Sequence, residues 1–324
     1  MVSSEIIDWL LTGEPWVVYR TRKDLLNQPD EDQQVIKARQ AMLDDPRVRA
    51  MLDELSSWPG KVLSSHKSAG QSFHKLGFLV NLGLKTSDSG ISQITERILE
   101  HQSSEGPFQL QMNIGKEYKG NGEDTFGWAL CDAPLVVYGL VKLGLGQDPR
   151  VQAAISALAK LIHTNGWPCV VSKELGTWRG PGRKADPCPY ANLVMLKLLS
   201  LLPEWIDSSE SRLGVETLLY LWEHSQEIHP YIFYMGTDFR KIKFPFIWYD
   251  ILHVSEVLSH FPWVRTDERF LDMIEVIQAK SDDRGRYTPE SIWKVWDQWD
   301  FGQKKFPSRG LTLQIYCILK RLSD

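Results

Sequence analysis

Between residues 151 and 162, Val151, Ala154, Ile155, Leu158 and Ile162 recur at the spacing of one helical face, with polar residues filling the other. This predicts an amphipathic surface helix. The stretch before it, from Asp132 to Leu145, is apolar nearly all round and predicts a helix buried on most sides. The basic unit is then one buried inner helix followed by one outer helix.

That unit recurs. Outer helices are expected to start at Asp45, Ser89, Asp148, Ser208 and Asp267, each a capping residue before an apolar-periodic run, at intervals of 44, 59, 60 and 59 residues. Inner segments begin near His74, Asp132, Pro189, Trp248 and Ser308, at intervals of 58, 57, 59 and 60. Each outer helix after the first runs into a turn bearing an aromatic residue: Phe108, Trp167, Tyr231 and Tyr287, with a glycine just before three of them. The segments around Ile6–Leu11 and Tyr19–Leu26 read as further helices without such turns. Long runs with period two are absent, so the chain is expected to be all-α. An open solenoid used for protein contacts and a closed barrel of about six helix pairs both fit such a repeat, and the strongly apolar inner ring favours closure. On this reading residues 1–324 form a single domain, with 1–60 an irregular capping region at its N-terminal end.

Composition removes several classes of function. A net charge of −4, from 37 basic and 41 acidic residues, gives no polyelectrolyte character, so no nucleic-acid partner is expected. No run of 18 apolar residues occurs, and Met1 to Ile6 carries neither a basic nor an apolar signal region; stable membrane insertion is not expected, and a cytoplasmic location is. Four cysteines are too few for a disulfide scaffold of this length and are expected as thiols or metal ligands. The 13 Trp exceed what a plain helical bundle requires.

Helix pairs ending in Gly-aromatic turns resemble the α/α toroid of terpene cyclases and protein prenyltransferase β subunits, and more narrowly a group of bacterial terpene-cyclase-like or prenyltransferase-like proteins. The resemblance spans roughly residues 5 to 322 and is sharpest around the cysteines and at Phe246-Ile-Trp-Tyr-Asp250. It implies a central apolar cavity and chemistry on an isoprenoid. Asp186-Pro-Cys188 at the start of an inner helix is similar to part of the prenyltransferase zinc site, whose further protein ligand is a His on the next inner helix. Here that region carries Asp250 in the ligand's register and His253 one turn on. The resemblance therefore implies Zn held by Asp186, Cys188 and either Asp250 or His253, with Cys131 and Cys169 as substitutes, and the same residues as catalytic candidates. The Asp-rich signatures of terpene cyclases are missing; Asp30-Glu-Asp32 and Asp282-Asp283 sit in turn-like sequence.

The long connections, 109–130, 168–187, 231–247 and 288–308, carry twelve Lys or Arg against nine Asp or Glu, a surplus of three positive charges in a negative protein. A basic mouth over an aromatic cavity suits a small amphiphilic anion, with Arg179, Arg183, Arg240 and Lys243 as head-group contacts and Trp248 and Trp296 along the tail. Trp293, Trp296, Trp299 and Phe301 either line such a pocket or pack against the next unit. The leading function is an enzyme of isoprenoid transfer or cyclisation; the alternative is a non-catalytic helical-repeat protein that binds a peptide or protein partner.

Overall fold

The structure is a computed structural model and describes residues 2–178, 180 and 182–323. Among these lie fourteen α-helices: α1 Ser4–Leu10, α2 Pro15–Arg20, α3 Gln33–Leu43, α4 Pro46–Leu55, α5 Ser72–Leu82, α6 Ile91–Glu100, α7 Ala133–Leu140, α8 Pro149–Ala159, α9 Pro189–Leu199, α10 Pro203–Ile206, α11 Ser209–Glu223, α12 Ile251–Leu258, α13 Glu268–Gln278 and α14 Arg309–Ser323. One small antiparallel pair interrupts the helices: β1 Leu110–Met112 and β2 Thr125–Gly127, with Leu110 opposite Gly127. The chain is helix-rich, and no described helix is long and apolar enough to cross a membrane.

Three helices start with one device, an Asp whose carboxylate accepts the backbone N–H two residues on and the guanidinium of the same Arg. It occurs as Asp45 with Arg47 before α4, Asp148 with Arg150 before α8, and Asp267 with Arg269 before α13. Ser208 caps α11 by accepting from the Ser211 N–H at 3.1 Å. The start near Ser89 differs: the cap is Gly90, at φ 85°, which offers the helix no side-chain acceptor. Ile162 lies past the end of α8, half-buried in the turn rather than on the helix face.

The chain divides into two compact units, residues 1–51 with 236–324, and residues 52–235. In the second unit α7 packs against α5 on one side and α9 on the other, and α9 is covered by α11. Every residue of α7 and α9 is buried, as the all-round apolar pattern predicts. In the first unit α12 packs on α13 and α14, and α14 on α1 and α2. The N- and C-terminal helices of that unit therefore touch, and Arg309 Nε donates to the Trp9 carbonyl at 3.0 Å.

The Gly-aromatic turns show why the sequence needs both residues. Gly166 sits at φ 109°, and a Cβ there would fall 2.6 Å from Asn192 Oδ1 and 2.7 Å from Thr217 Oγ1. The next residue, Trp167, is clamped to the start of α9: its N–H donates to Asn192 Oδ1 at 3.0 Å, and its carbonyl accepts the Cys188 N–H at 2.8 Å. The other unit repeats this frame at identical spacing. The Tyr287 N–H donates to Thr312 Oγ1 at 3.0 Å, 25 residues on, and its carbonyl accepts the Ser308 N–H at 2.9 Å, 21 residues on.

Asn192 also donates from Nδ2 to the carbonyls of Trp167 and Cys188, at 2.9 and 2.8 Å, and is fully buried. Asn192→Ala removes all three bonds and leaves the Trp167 N–H without an acceptor away from water. It is expected to cost about 3 kcal/mol, read as a lower denaturant midpoint at unchanged slope. A midpoint equal to wild type would show that the clamp contributes nothing.

Candidate functional site

In the first unit, the segments 236–250 and 288–308 are knitted together. Ile242 N–H donates to Glu290 Oε2 at 2.8 Å and its carbonyl accepts the Glu290 N–H at 3.0 Å, while the Phe239 carbonyl accepts the Ile251 N–H at 2.9 Å. Backbone polarity is thereby satisfied and side chains are left for other work. Arg240, Lys241, Lys280 and Lys304 stand around a cleft of about 940 Å³ that also holds Thr237 and Glu290. Four cations meet one carboxylate there. Glu290 binds Lys280 at 2.6 Å, and Lys241 lies 3.6 Å from Asp238.

Lys243 faces away from that cleft. It is buried at 5% exposure, its Nζ 5.1 Å from the Trp293 ring and 3.9 Å from Asp238 Oδ2. Its charge also reaches Asp250, the N-cap of α12. Asp250 Oδ1 accepts the His253 N–H at 3.0 Å, but Oδ2 is buried with no hydrogen-bond partner. Burial pushes the carboxyl up to about 7, and Lys243 and the α12 amides only partly oppose this. The site is therefore a carboxylic acid that holds its proton close to neutrality.

Aromatic rings surround this region. Phe239 lies 5.1 Å from Tyr249, and Phe246 stacks on the fully buried His253 at 5.3 Å. His253 Nδ1 bonds the Trp248 carbonyl at 2.9 Å, a bond in which Nδ1 carries the hydrogen. Phe244 links Phe246, at 5.1 Å, to Phe301, at 4.8 Å, and Trp16, Trp296 and Trp299 continue the cluster. Trp296 is thus part of a packed aromatic core, and Trp248 is half-buried beside Asp250.

In the second unit, Arg183 and Asp186 line a separate cleft of about 660 Å³ with Glu216, Tyr220, Glu227 and His229. Arg179 lies outside the described residues. Cys188, two residues from Asp186, turns to Cys131: the hydrogen bond between the two thiols holds Cys188 low and, with burial, pushes Cys131 well up. Cys169 Sγ accepts the Gly180 N–H at 3.1 Å.

The zinc shell implied by the family resemblance draws Asp186 and Cys188 from one unit and Asp250 and His253 from the other. Cys188 is engaged with Cys131, Asp250 Oδ1 accepts the backbone N–H of His253, and His253 Nδ1 is bonded to the Trp248 carbonyl. Among the described residues no group of three or more His, Cys, Asp or Glu side chains gathers to hold a metal ion, so no chemical step is assigned to zinc.

Sequence reasoning missed one pair. His66 Nε2 and Asp132 Oδ2 lie 2.8 Å apart, the Asp fully buried, the imidazole stacked on Trp178 at 5.5 Å. Burial pushes Asp132 up and the His66 hydrogen bond pulls it back. His74, itself held neutral by burial at about 3, bonds the His66 carbonyl at 3.0 Å and fixes that loop. Asp132 at the head of an inner helix was the only visible signal; 66 residues separate it from its partner.

No family model matches the chain, and no curated protein matches it in sequence. Among solved structures it is similar to a protein from Actinoplanes, 11% identical over 96% of this chain and 91% of that one, with a TM-score of 0.44. It is similar also to MstE, a type II terpene cyclase from Scytonema, 9% identical over 96% of this chain and 88% of that one, at a TM-score of 0.42. A variant of that cyclase in complex with geranylgeranyl dihydroxybenzoate as substrate overlaps to the same extent at 8% identity and the same score. At such identities, what this chain binds and does has to be argued from its own side chains.

Proposed function

We propose that the chain is a terpene cyclase- or prenyltransferase-like enzyme, folded as a single α/α toroid, that binds a small amphiphilic anion of isoprenoid type and protonates or ionises it. The observation that carries this reading is Asp250: a buried carboxyl with one orphaned oxygen, following Phe246, Trp248 and Tyr249 in the chain, in the same unit as a cleft of four cations. The bonded frame at Trp167 and Tyr287, equal in spacing in the two units, supports the repeat on which the toroid rests.

The parts have separate tasks. Arg240, Lys241, Lys280 and Lys304 orient an anionic head group by charge-assisted hydrogen bonds. Asp250 supplies the proton to an unsaturated carbon; its raised pKa keeps the acid form populated near neutrality, where an ordinary carboxyl has lost its proton. The ring faces of Phe246, Trp248 and Tyr249, next to it in the chain, offer negative quadrupoles to the positive charge that forms. Lys243 limits how far the acid's pKa rises, and so sets how readily the proton leaves.

Binding should follow both ends of the ligand. By calorimetric titration, farnesyl diphosphate is expected to bind at least about tenfold more tightly than farnesol or pyrophosphate, since the tail contributes roughly 0.8 kcal/mol per buried CH₂ and the head is held by charge. Arg240→Ala together with Lys304→Ala should remove that advantage over farnesol. Equal weak binding of all three would leave the non-catalytic repeat protein as the better account.

The acid has a signature in stability as well as in turnover. The native state keeps Asp250 protonated up to about pH 7, whereas the unfolded chain releases this proton near 3.8. Stability is therefore lost as pH rises from about 4 to about 7 and is level above, by at most about 4 kcal/mol for a shift of some three units. Asp250→Asn keeps the acceptor for the His253 N–H and removes the slope. Its melting temperature relative to wild type should be higher at pH 8 than at pH 5, and its turnover of any accepted isoprenoid at least about a hundredfold lower. An identical difference in melting temperature at both pH values would show Asp250 ionised throughout and end its candidacy as the acid.

A further inference from the structure

Three cysteines of the second unit have no task in the chemistry assigned to Asp250, yet the backbone brings the segments that carry them side by side. Leu130 N–H donates to the Val170 carbonyl at 2.9 Å and Ser172 N–H to the Trp128 carbonyl at 2.8 Å, so that Ala129 faces Val171 in an antiparallel bridge. Two residues further along the same register, Cys131 comes opposite Cys169. Cys188 reaches the spot from the head of α9, where its N–H is bonded to the Trp167 carbonyl, two residues before Cys169.

Within this group one pair is singled out. The Cys131 thiol is hydrogen-bonded to Cys188, the N-cap residue of the eleven-residue helix α9. The head of a helix suits a sulfur that carries negative charge as it attacks. Cys169 is half-buried and spends its sulfur on the Gly180 N–H. Cys317, the fourth, lies buried in α14 of the other unit.

We propose that Cys131 and Cys188 form a reversible oxidation site, closed to a disulfide by a small peroxide. The Cys188 sulfur attacks one oxygen of hydrogen peroxide; the O–O bond breaks, and the departing hydroxide takes the thiol proton and leaves as water, giving a sulfenic acid on Cys188. The Cys131 sulfur then attacks that sulfur. The S–S bond forms, the S–O bond breaks, and the hydroxide leaves with the Cys131 proton as a second water. Two thiols lose two electrons and the peroxide gains them. The new bond joins the residue preceding Asp132, the N-cap of α7, to the N-cap of α9, so two inner helices become covalently tied at their starts.

Peptide mapping of the full chain tests this. After treatment with hydrogen peroxide and alkylation under denaturing conditions without reductant, a Cys131–Cys188 linked peptide is expected, lighter by the two thiol hydrogens and released by dithiothreitol. Cys317 should be recovered alkylated as an internal control. Recovery of Cys131 and Cys188 as alkylated thiols under conditions that oxidise free cysteine, or a link from either of them to Cys169 instead, overturns the proposal. In Cys131→Ser the second step has no thiol, so the sulfenic acid should persist and be captured by dimedone on Cys188. A dimedone adduct on Cys169 in its place has the opposite meaning. If that variant does not fold, the wild-type map alone decides.

Discussion

The clamp between an aromatic turn and the head of the next inner helix is the constraint on which the rest depends. Trp167 is held by Asn192 and Cys188, and Tyr287 by Thr312 and Ser308. In each case a buried turn has backbone groups that water cannot reach, and a polar side chain on an otherwise apolar helix satisfies them. This also fixes both ends of the intervening loop within one hydrogen bond of each other. A loop pinned at its base can carry bulky and charged residues without loosening the core. The loop after Trp167 bears Cys169 and Trp178, and the loop after Tyr287 bears Trp293 and Trp296.

The same constraint explains what the amino-acid sequence reveals and what it hides. Helix starts at Asp45, Asp148, Ser208 and Asp267 were legible because a cap works through atoms two or three residues away. Gly90 was not, because it caps by backbone conformation and offers no side-chain signal against the neighbouring Ser89. Buried helices such as α7 and α9 announce themselves by composition. Loop side chains do not: Arg240 and Lys243 are three residues apart and of like charge, yet one lines an open cleft and the other is buried against Trp293. That difference is set by the bonds between Ile242 and Glu290, which join residues 48 apart and leave no trace in local pattern. The pairings of His66 with Asp132 and of Cys131 with Cys188 are hidden for the same reason.

Three carboxyls near helix starts show how competing effects assign roles. Asp132 and Asp250 are N-caps of α7 and α12, and Asp300 accepts the Gly310 N–H at 3.0 Å in the first turn of α14. A helix N-terminus favours the ionised form by about 1 kcal/mol, whereas burying an unpaired carboxylate costs several. Burial wins at all three, and each pKa is raised, Asp300 to about 6.

What separates them is the partner. Asp132 has the His66 imidazole at 2.8 Å, so its charge, when present, is met by a directed hydrogen bond. Asp300 has the Gly310 N–H on Oδ2 and the Ser308 hydroxyl, while its Oδ1 is left without a hydrogen-bond partner. Asp250 has the field of Lys243 and the first amides of α12 to offset its burial, and nothing on Oδ2. An asparagine would cap α12 as well and would carry no cost of ionisation, so capping alone does not account for an acid at this position. A residue that costs stability above its own pKa while offering a proton below it is more economically explained by the proton than by the cap. Asp250 and Asp300 are thus the two with an orphaned oxygen, and Asp250, buried where Asp300 is half-buried, has its pKa the nearer to neutrality.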